Sequence, residues 1–441
     1  MRKAVCENRF SYHYKEEHMK QMSKWLIVFI LLLAVPAVLF AGGGQEEKAP
    51  EEETEEETAE PAEPIKLGGV WPLGDITGDQ GSKAARLAVE MINEAGGVLG
   101  RKLELSVIDS ELKPEKGAAA IDRLATVDEV DIFLGGMSSG VHLAQIPTLK
   151  KYKKLTVWTG AASSRCEEAL GEDANWYFHL HPWDYNQGAS YAEGWAAIIE
   201  EYDEIQLDRW FLAYEEGPFG TSSFEASQQL YADLGTIEGE SFKSAALGGG
   251  DYSAVIQHAK EFGPDIFLWA GYDADALPIM EQAKAADFAP PILLGAPPGW
   301  PADFGDSPLA NYVMLYGMWA PSINDISDVS QKFYDGYVEK YNNEPATYFA
   351  PLCYTAVYII KDAIERAGSL DTDALIAAAK ETSYESPLGE TVTFSPSNII
   401  PNQGIRQQKI LQWQEGRQEV IWPFEFQTAD PVYPFPGWDE R

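Results

Sequence analysis

Basic side chains are scarce in this chain: 33 Lys and Arg stand against 69 Asp and Glu over 441 residues, for a net charge of −36. Such a surface repels phosphate backbones and anionic membranes, which excludes nucleic-acid binding. Histidine is as sparse, with six residues, and His13 and His18 lie ahead of the chain's long apolar run. His179 and His181 alternate in FHLHPWD with Asp184 close behind, a spacing that a metal-dependent hydrolase could use to hold a divalent ion. No third ligand cluster stands beside them, so the plainer reading is a strand with exposed or hydrogen-bonded imidazoles. Nucleophile chemistry is no better served, because GTSSF and GMSSG lack the strained G-x-S-x-G elbow and two acids follow Cys166 in SSRCEEA. Catalysis is therefore not expected, and no cofactor or metal is implied. Cysteine is rare too: Cys6 precedes the apolar run, and whether Cys166 and Cys353 pair in an oxidising compartment stays open.

What is present begins with that run. Lys20 and Lys24 precede the sixteen uncharged residues WLIVFILLLAVPAVLF, Trp25 to Phe40, and the small residues Ala41 to Gly44 follow. This is the pattern of an export signal over residues 1–43, with Met19 or Met22 as alternative starts. The run is short for a bilayer span and contains Pro36, so an uncleaved anchor is the competing reading. No Cys follows it, which disfavours lipid attachment. Residues 44–64 are rich in Glu, Pro, Thr and Ala without apolar periodicity and read as a disordered acidic linker. A periplasmic or other extracytoplasmic location is expected.

From Ile65 onward short apolar runs alternate with stretches of 3.6-residue periodicity, and the rhythm restarts after ANWYFHLHPWD. Alternating strands and helices imply parallel sheet, and the restart implies a second lobe of the same kind. Ligands of such sheets sit beyond the carboxyl ends of the strands, which singles out the turns after each apolar run. One of these is FLGGMSSGVHLA, Phe133 to Ala144. Two glycines lead out of a strand and two serines lead into a helix, whose unpaired N–H groups and positive end favour a carboxylate or an amide oxygen. The plainer alternative is that Ser138 or Ser139 caps its own helix.

The pieces IKLGGVWPLGDITGDQGSKAARLAVEMINEAGGVLGRKLEL, FLGGMSSGVHLAQIPTLKKYKKLTVWTGAASS, YEEGPFGTSSFEA and SPLGETVTFSP, in this order, resemble the extracytoplasmic solute-binding proteins of ABC importers, branched-chain amino acid type. The resemblance implies an α/β fold of two doubly wound parallel-sheet lobes, the periplasmic binding protein type I architecture. One lobe would comprise 65–182 and 320–400 and the other 183–319 and 401–441, joined by a three-segment hinge near Pro182, Ala320 and Pro401. It further implies a small-molecule solute held between the lobes, an importer permease as partner, and a monomer. A ligand-sensing module for a signalling partner is the runner-up.

On the family's pattern, the ligand carboxylate falls to Ser138, Ser139, Ala162, Ser163 and Ser164, and the facing aromatic contacts to Phe219 and Tyr272. Phe219 departs from the usual Tyr. The larger departure follows PILLG, where amino-acid binders carry an acid for the ligand ammonium and this chain has Ala296, Pro297, Pro298, Gly299 and Trp300. A buried ammonium without a partner costs several kcal/mol. A substitute acid, Asp273, Asp275, Glu215 or Glu216, is therefore expected, or else a ligand without the amine. Trp300, Pro297, Trp71 and Trp158 would then wall a flat or bulky apolar body, with core packing the plainer reading for the tryptophans.

Overall fold

This computed structural model describes residues 62–440. The expected export signal and most of the expected acidic linker lie outside the described residues. The first lobe is built on β1 (Ile65–Trp71), α1 (Ile76–Glu94), β2 (Leu103–Asp109), α2 (Pro114–Thr126), β3 (Ile132–Gly135), α3 (Ser139–Tyr152), β4 (Thr156–Trp158), α4 (Ser164–Leu170) and β5 (Tyr177–His179). Its strands form one parallel sheet in the order β2-β1-β3-β4-β5. The inner strands are apolar along both faces because helices cover each side, which is why IFLG and TVW read as unbroken runs.

The second lobe starts with α5 (Asp184–Glu201) and continues through β6 (Arg209–Glu215), α6 (Pro218–Leu230), β7 (Thr236–Phe242), α7 (Ser253–Phe262), β8 (Ile266–Ala270), α8 (Ala276–Ala285), β9 (Ile292–Gly295) and β10 (Met314–Gly317). The chain then returns to the first lobe with α9 (Asp328–Tyr341), α10 (Phe349–Ala367), which packs along α1, and α11 (Thr372–Lys380). The short pair β11 (Tyr384–Glu385) and β12 (Thr391–Val392) follows, and β13 (Lys409–Gln414) and β14 (Arg417–Trp422) complete the second sheet. The sheet order is β14-β13-β10-β9-β8-β6-β7. The chain thus passes between the two sheets three times, after His179, after Gly317 and before Lys409.

One edge of the second sheet is not parallel. β13 runs antiparallel to β10 and β14 antiparallel to β13, joined through Glu415 (φ 51°) and Gly416 (φ 80°). Two consecutive left-handed residues make the tight turn whose twist suits a hairpin, and Gly at the second position relieves the strain. The expected second lobe included 401–441, without this hairpin being distinguished in it.

Along β6 the faces alternate. Phe211 and Ala213 pack into the larger core with Trp269 and Leu293, whereas Trp210 and Leu212 face Trp195, Tyr231 and Tyr316 beneath α5 and α6. Among the described residues no helix is long and apolar enough to cross a membrane.

Candidate functional site

The carboxyl ends of both sheets point at one cavity of about 820 Å³, its opening to solvent included. From the first lobe it is lined by Ser138 and Ser139 after β3 and Ala162 after β4; from the second by Phe219 on α6, Tyr272 after β8 and Pro297 after β9.

The turn after β3 is shaped by Gly135 (φ +107°) and Gly136 (φ +92°). Besides the left-handed backbone, a Cβ on Gly136 would overlap the Trp158 indole, and one on Gly135 would crowd that of Trp71. The chain leaves this turn with Ser138 at the N-cap of α3, in extended backbone, yet its side chain makes no capping bond. Its hydroxyl instead faces the phenol of Tyr272 across the cleft. Ser139 is the structural member of the pair: its Oγ accepts from Ser163 N at 3.2 Å. Capping is therefore not what occupies Ser138.

The other carboxylate-end candidates turn away. Ser163 caps α4, and Ser164 donates from both N and Oγ to Asp184 Oδ2, at 2.8 and 2.9 Å, so neither lines the cavity. The lobes touch around the rim: Ile76 N donates to Asp273 Oδ2 at 3.3 Å, Thr347 Oγ1 to Pro298 O at 2.8 Å, and Arg165 Nη1 to Thr221 Oγ1 at 3.1 Å.

None of the four substitute acids reaches the cavity. Asp275 is buried and accepts from Ser244 Oγ, Ala245 N, Tyr252 OH and Tyr272 N. Glu215 holds the turn into α6 through Gly217 N at 2.6 Å and Gly220 N at 2.8 Å, and burial raises its pKa. Asp273 binds Ala274 N and Ile76 N at the rim, and Glu216 is exposed. The acid that does line the cavity is Asp184, whose Oδ2 serves Ser164 and whose Oδ1 accepts from Tyr185 N at 2.7 Å; its pKa too is raised by burial. No Lys or Arg is among the lining residues.

The tryptophans do not wall the ligand space. Trp300 is buried in the second-lobe core, its ring 4.6 Å from Phe304 and 5.6 Å from Trp269. Trp71 folds back beneath its own strand, where Gly69 leaves room for the ring, and Trp158 stacks on His142 at 4.5 Å. In each case a neighbouring glycine admits the indole into the core.

The imidazoles are likewise engaged. His179 bonds Gly160 O at 2.7 Å and Gln403 Oε1 at 3.0 Å, and His181 bonds Tyr348 OH at 3.1 Å. Burial, the leading cause for both, pushes their pKa values down to about 4 and about 3, so they are neutral rings at neutral pH. Among the described residues no three His, Cys, Asp or Glu side chains group as metal ligands. Cys166 and Cys353 are free and buried, not paired.

Several lining residues escaped the sequence reading: Tyr191 on α5, Ser223 and Ser227 on α6, Tyr316 on β10, and Gln408 ahead of β13. A signal for part of this set exists, since Phe219, Ser223 and Ser227 recur at four-residue spacing and so share one helix face. Tyr316, on the short β10, and Gln408, where the chain returns to this lobe, carry no such local mark.

A family model described as periplasmic binding protein matches residues 64–418. A Leu/Ile/Val-binding protein homolog 3 of Brucella melitensis is 26% identical over 364 residues, covering 80% of this chain and 92% of the relative. The branched-chain amino acid transporter substrate binding protein LivJ of Streptococcus pneumoniae, solved with isoleucine, superposes with a TM-score of 0.70 at 21% identity, covering 84% of this chain and 100% of that one. A solute binding protein of an ABC transporter from R. palustris, solved with benzoate, gives 0.69 at 16% identity, covering 85% and 97%.

Proposed function

The chain belongs to the periplasmic binding protein family, and from that premise we propose that it is the extracytoplasmic receptor of an ABC importer for a monocarboxylate or amide without an α-amino group. The observation that carries the ligand class is the charge inventory of the cavity. Every acid near the cleft is either outside the lining or already committed to backbone N–H groups and hydroxyls of the protein. An α-ammonium would find only Asp184, whose oxygens already accept from Ser164 and Tyr185, and an ammonium left unpaired in an apolar site costs several kcal/mol. A carboxylate or amide oxygen fares better, because the Ser138 hydroxyl and the amino end of α3 offer donors and a positive dipole end. Structures named with isoleucine and with benzoate share this fold, so fold alone does not choose between ligands.

In this reading the acidic end binds first at Ser138 and Ser139. Closure then brings Phe219, Tyr272 and Pro297 over the ligand and excludes water. Contacts made only in the closed form shift the population toward it, and a permease reads the closed surface.

The test is a melting-temperature panel in which each amino acid is set beside its deaminated acid and its amide. Shifts with 4-methylpentanoate or 3-phenylpropanoate and none with leucine or phenylalanine support the reading. Shifts with the amino acids alone overturn it.

A further inference from the structure

The cavity does not end at the interlobe cleft. It continues between one face of the second-lobe sheet and the helices α5 and α6, and the strand register measures how far. Tyr214 pairs with Ala270 and, two residues deeper, Leu212 pairs with Leu268; all of these line the cavity. Two residues of strand correspond to about 7 Å below the level of the strand ends. On the helix side the lining runs from Phe219 in the first turn of α6 through Ser223 and Ser227 to Tyr231 at its C-cap. Those levels are roughly 18 Å apart along the axis, shortened because the Tyr231 side chain leans back toward the helix start.

Side-chain size explains why this space exists. Among the lining residues Ala270 and Ala296 at the strand ends and Ser223 and Ser227 on the helix are small, where their neighbours are mostly aromatic or Leu. The floor of this slot is phenolic: the Tyr191 and Tyr316 rings stack at 3.4 Å, and the Tyr231 hydroxyl lies 3.4 Å from that of Tyr316. Two polar groups of the walls have no partner. Gln408, 2% exposed, leaves its Nε2 unpaired, and the Ser223 Oγ is unpaired as well. These unpaired groups show that the protein itself does not fill the space between the walls.

We infer that the ligand is a carboxylate or amide with an extended apolar tail, and that this tail lies inside the second lobe, between α6 and the sheet, rather than in the cleft alone. The inference rests on the head-group reading above for where the acidic end sits, but not for the existence of the slot. A branched-chain side chain would leave the Leu212 and Leu268 level empty, whereas a straight or aryl-terminated tail reaches it.

The test is calorimetric titration of the purified protein with butanoate, hexanoate, octanoate and decanoate, each also as amide and as alcohol. Affinity for the acids is expected to rise by about fourfold per added methylene until the slot is filled, and then to fall. Ser227→Phe narrows the slot and should lower the octanoate-to-butanoate affinity ratio by tenfold or more. Ser227→Val, a smaller intrusion less demanding of the fold, should lower it in part.

Acid affinity that is independent of length, or a ratio that neither variant moves, overturns the slot while leaving the head-group reading standing. Length dependence confined to the alcohols overturns the head-group reading and keeps the slot. No binding by any of the three series overturns both.

Discussion

Ser138 separates ligand binding from folding more cleanly than any other residue of the cleft, and Ser138→Ala is the perturbation with the sharpest expectation. The side chain makes no capping bond to α3 and only meets Tyr272 across the cleft. Its removal should therefore cost the unliganded protein at most about 1 kcal/mol, the contribution of one neutral hydrogen bond. A bound carboxylate loses more, because a hydrogen bond to a charged group contributes about 1.5–3 kcal/mol. At about 1.4 kcal/mol per factor of ten, Kd for an acid should rise roughly 10- to 150-fold, and less for the matching amide. Ser139→Ala is the contrast. Ser139 Oγ accepts from the buried Ser163 N, and orphaning that N–H costs about 1–3 kcal/mol, so this variant should melt at a lower temperature even without ligand. The assay is paired calorimetry and thermal unfolding of both variants. An unchanged Kd in Ser138→Ala, or a melting loss as large as that of Ser139→Ala, would refute the reasoning and return Ser138 to a structural role.

Closure should depend on pH through Asp75, whose pKa is held well above the usual carboxylate range by burial first and by the Asp273 carboxylate of the other lobe second. The part of that rise that comes from Asp273 exists only while the lobes are together, so protonation of Asp75 favours the closed form and that contribution is lost as pH rises through the elevated value. Ligand affinity measured from weakly acidic to neutral pH should fall over that window, and Asp273→Asn should flatten the profile; a flat profile in the unmodified protein contradicts this. Gly136→Ala should destabilise the fold by roughly 2–4 kcal/mol in chemical unfolding, by combining left-handed backbone strain with overpacking, because its Cβ would meet the Trp158 indole. An unchanged midpoint would contradict that packing. Burial raises the Cys166 thiol and pushes Cys353 up to about 12, so iodoacetamide should leave both unmodified in the native protein, as followed by intact mass.

Much of the fold was legible because it is written locally. Runs such as DIFLGG and DIFLWAG announce buried parallel strands, and GSKAARLAVEMINEAGG shows both the helix period and its glycine stop. The β13–β14 hairpin was equally local, in its Glu415–Gly416 turn, but it was masked by the aromatic and proline content around it. The cavity lining was legible where a turn carries it, as at Ser138, Phe219 and Pro297. Trp71 and Trp300 were misplaced because a tryptophan beside glycines looks exposed in one dimension, while the space above Gly69 and Gly295 admits those rings to the core. Gln408 depends on the chain's third passage between the lobes, and neither it nor Tyr316 is marked by a periodicity of its own segment.

The most direct measurement is a crystal structure of the protein with whichever acid of the deaminated panel raises its melting temperature furthest. The account predicts a carboxylate oxygen within hydrogen-bond reach of Ser138 Oγ, with the tail passing Gln408 toward Leu212 and Leu268. A carboxylate remote from Ser138, a tail that stays in the cleft, or a ligand bound outside this cavity would contradict it.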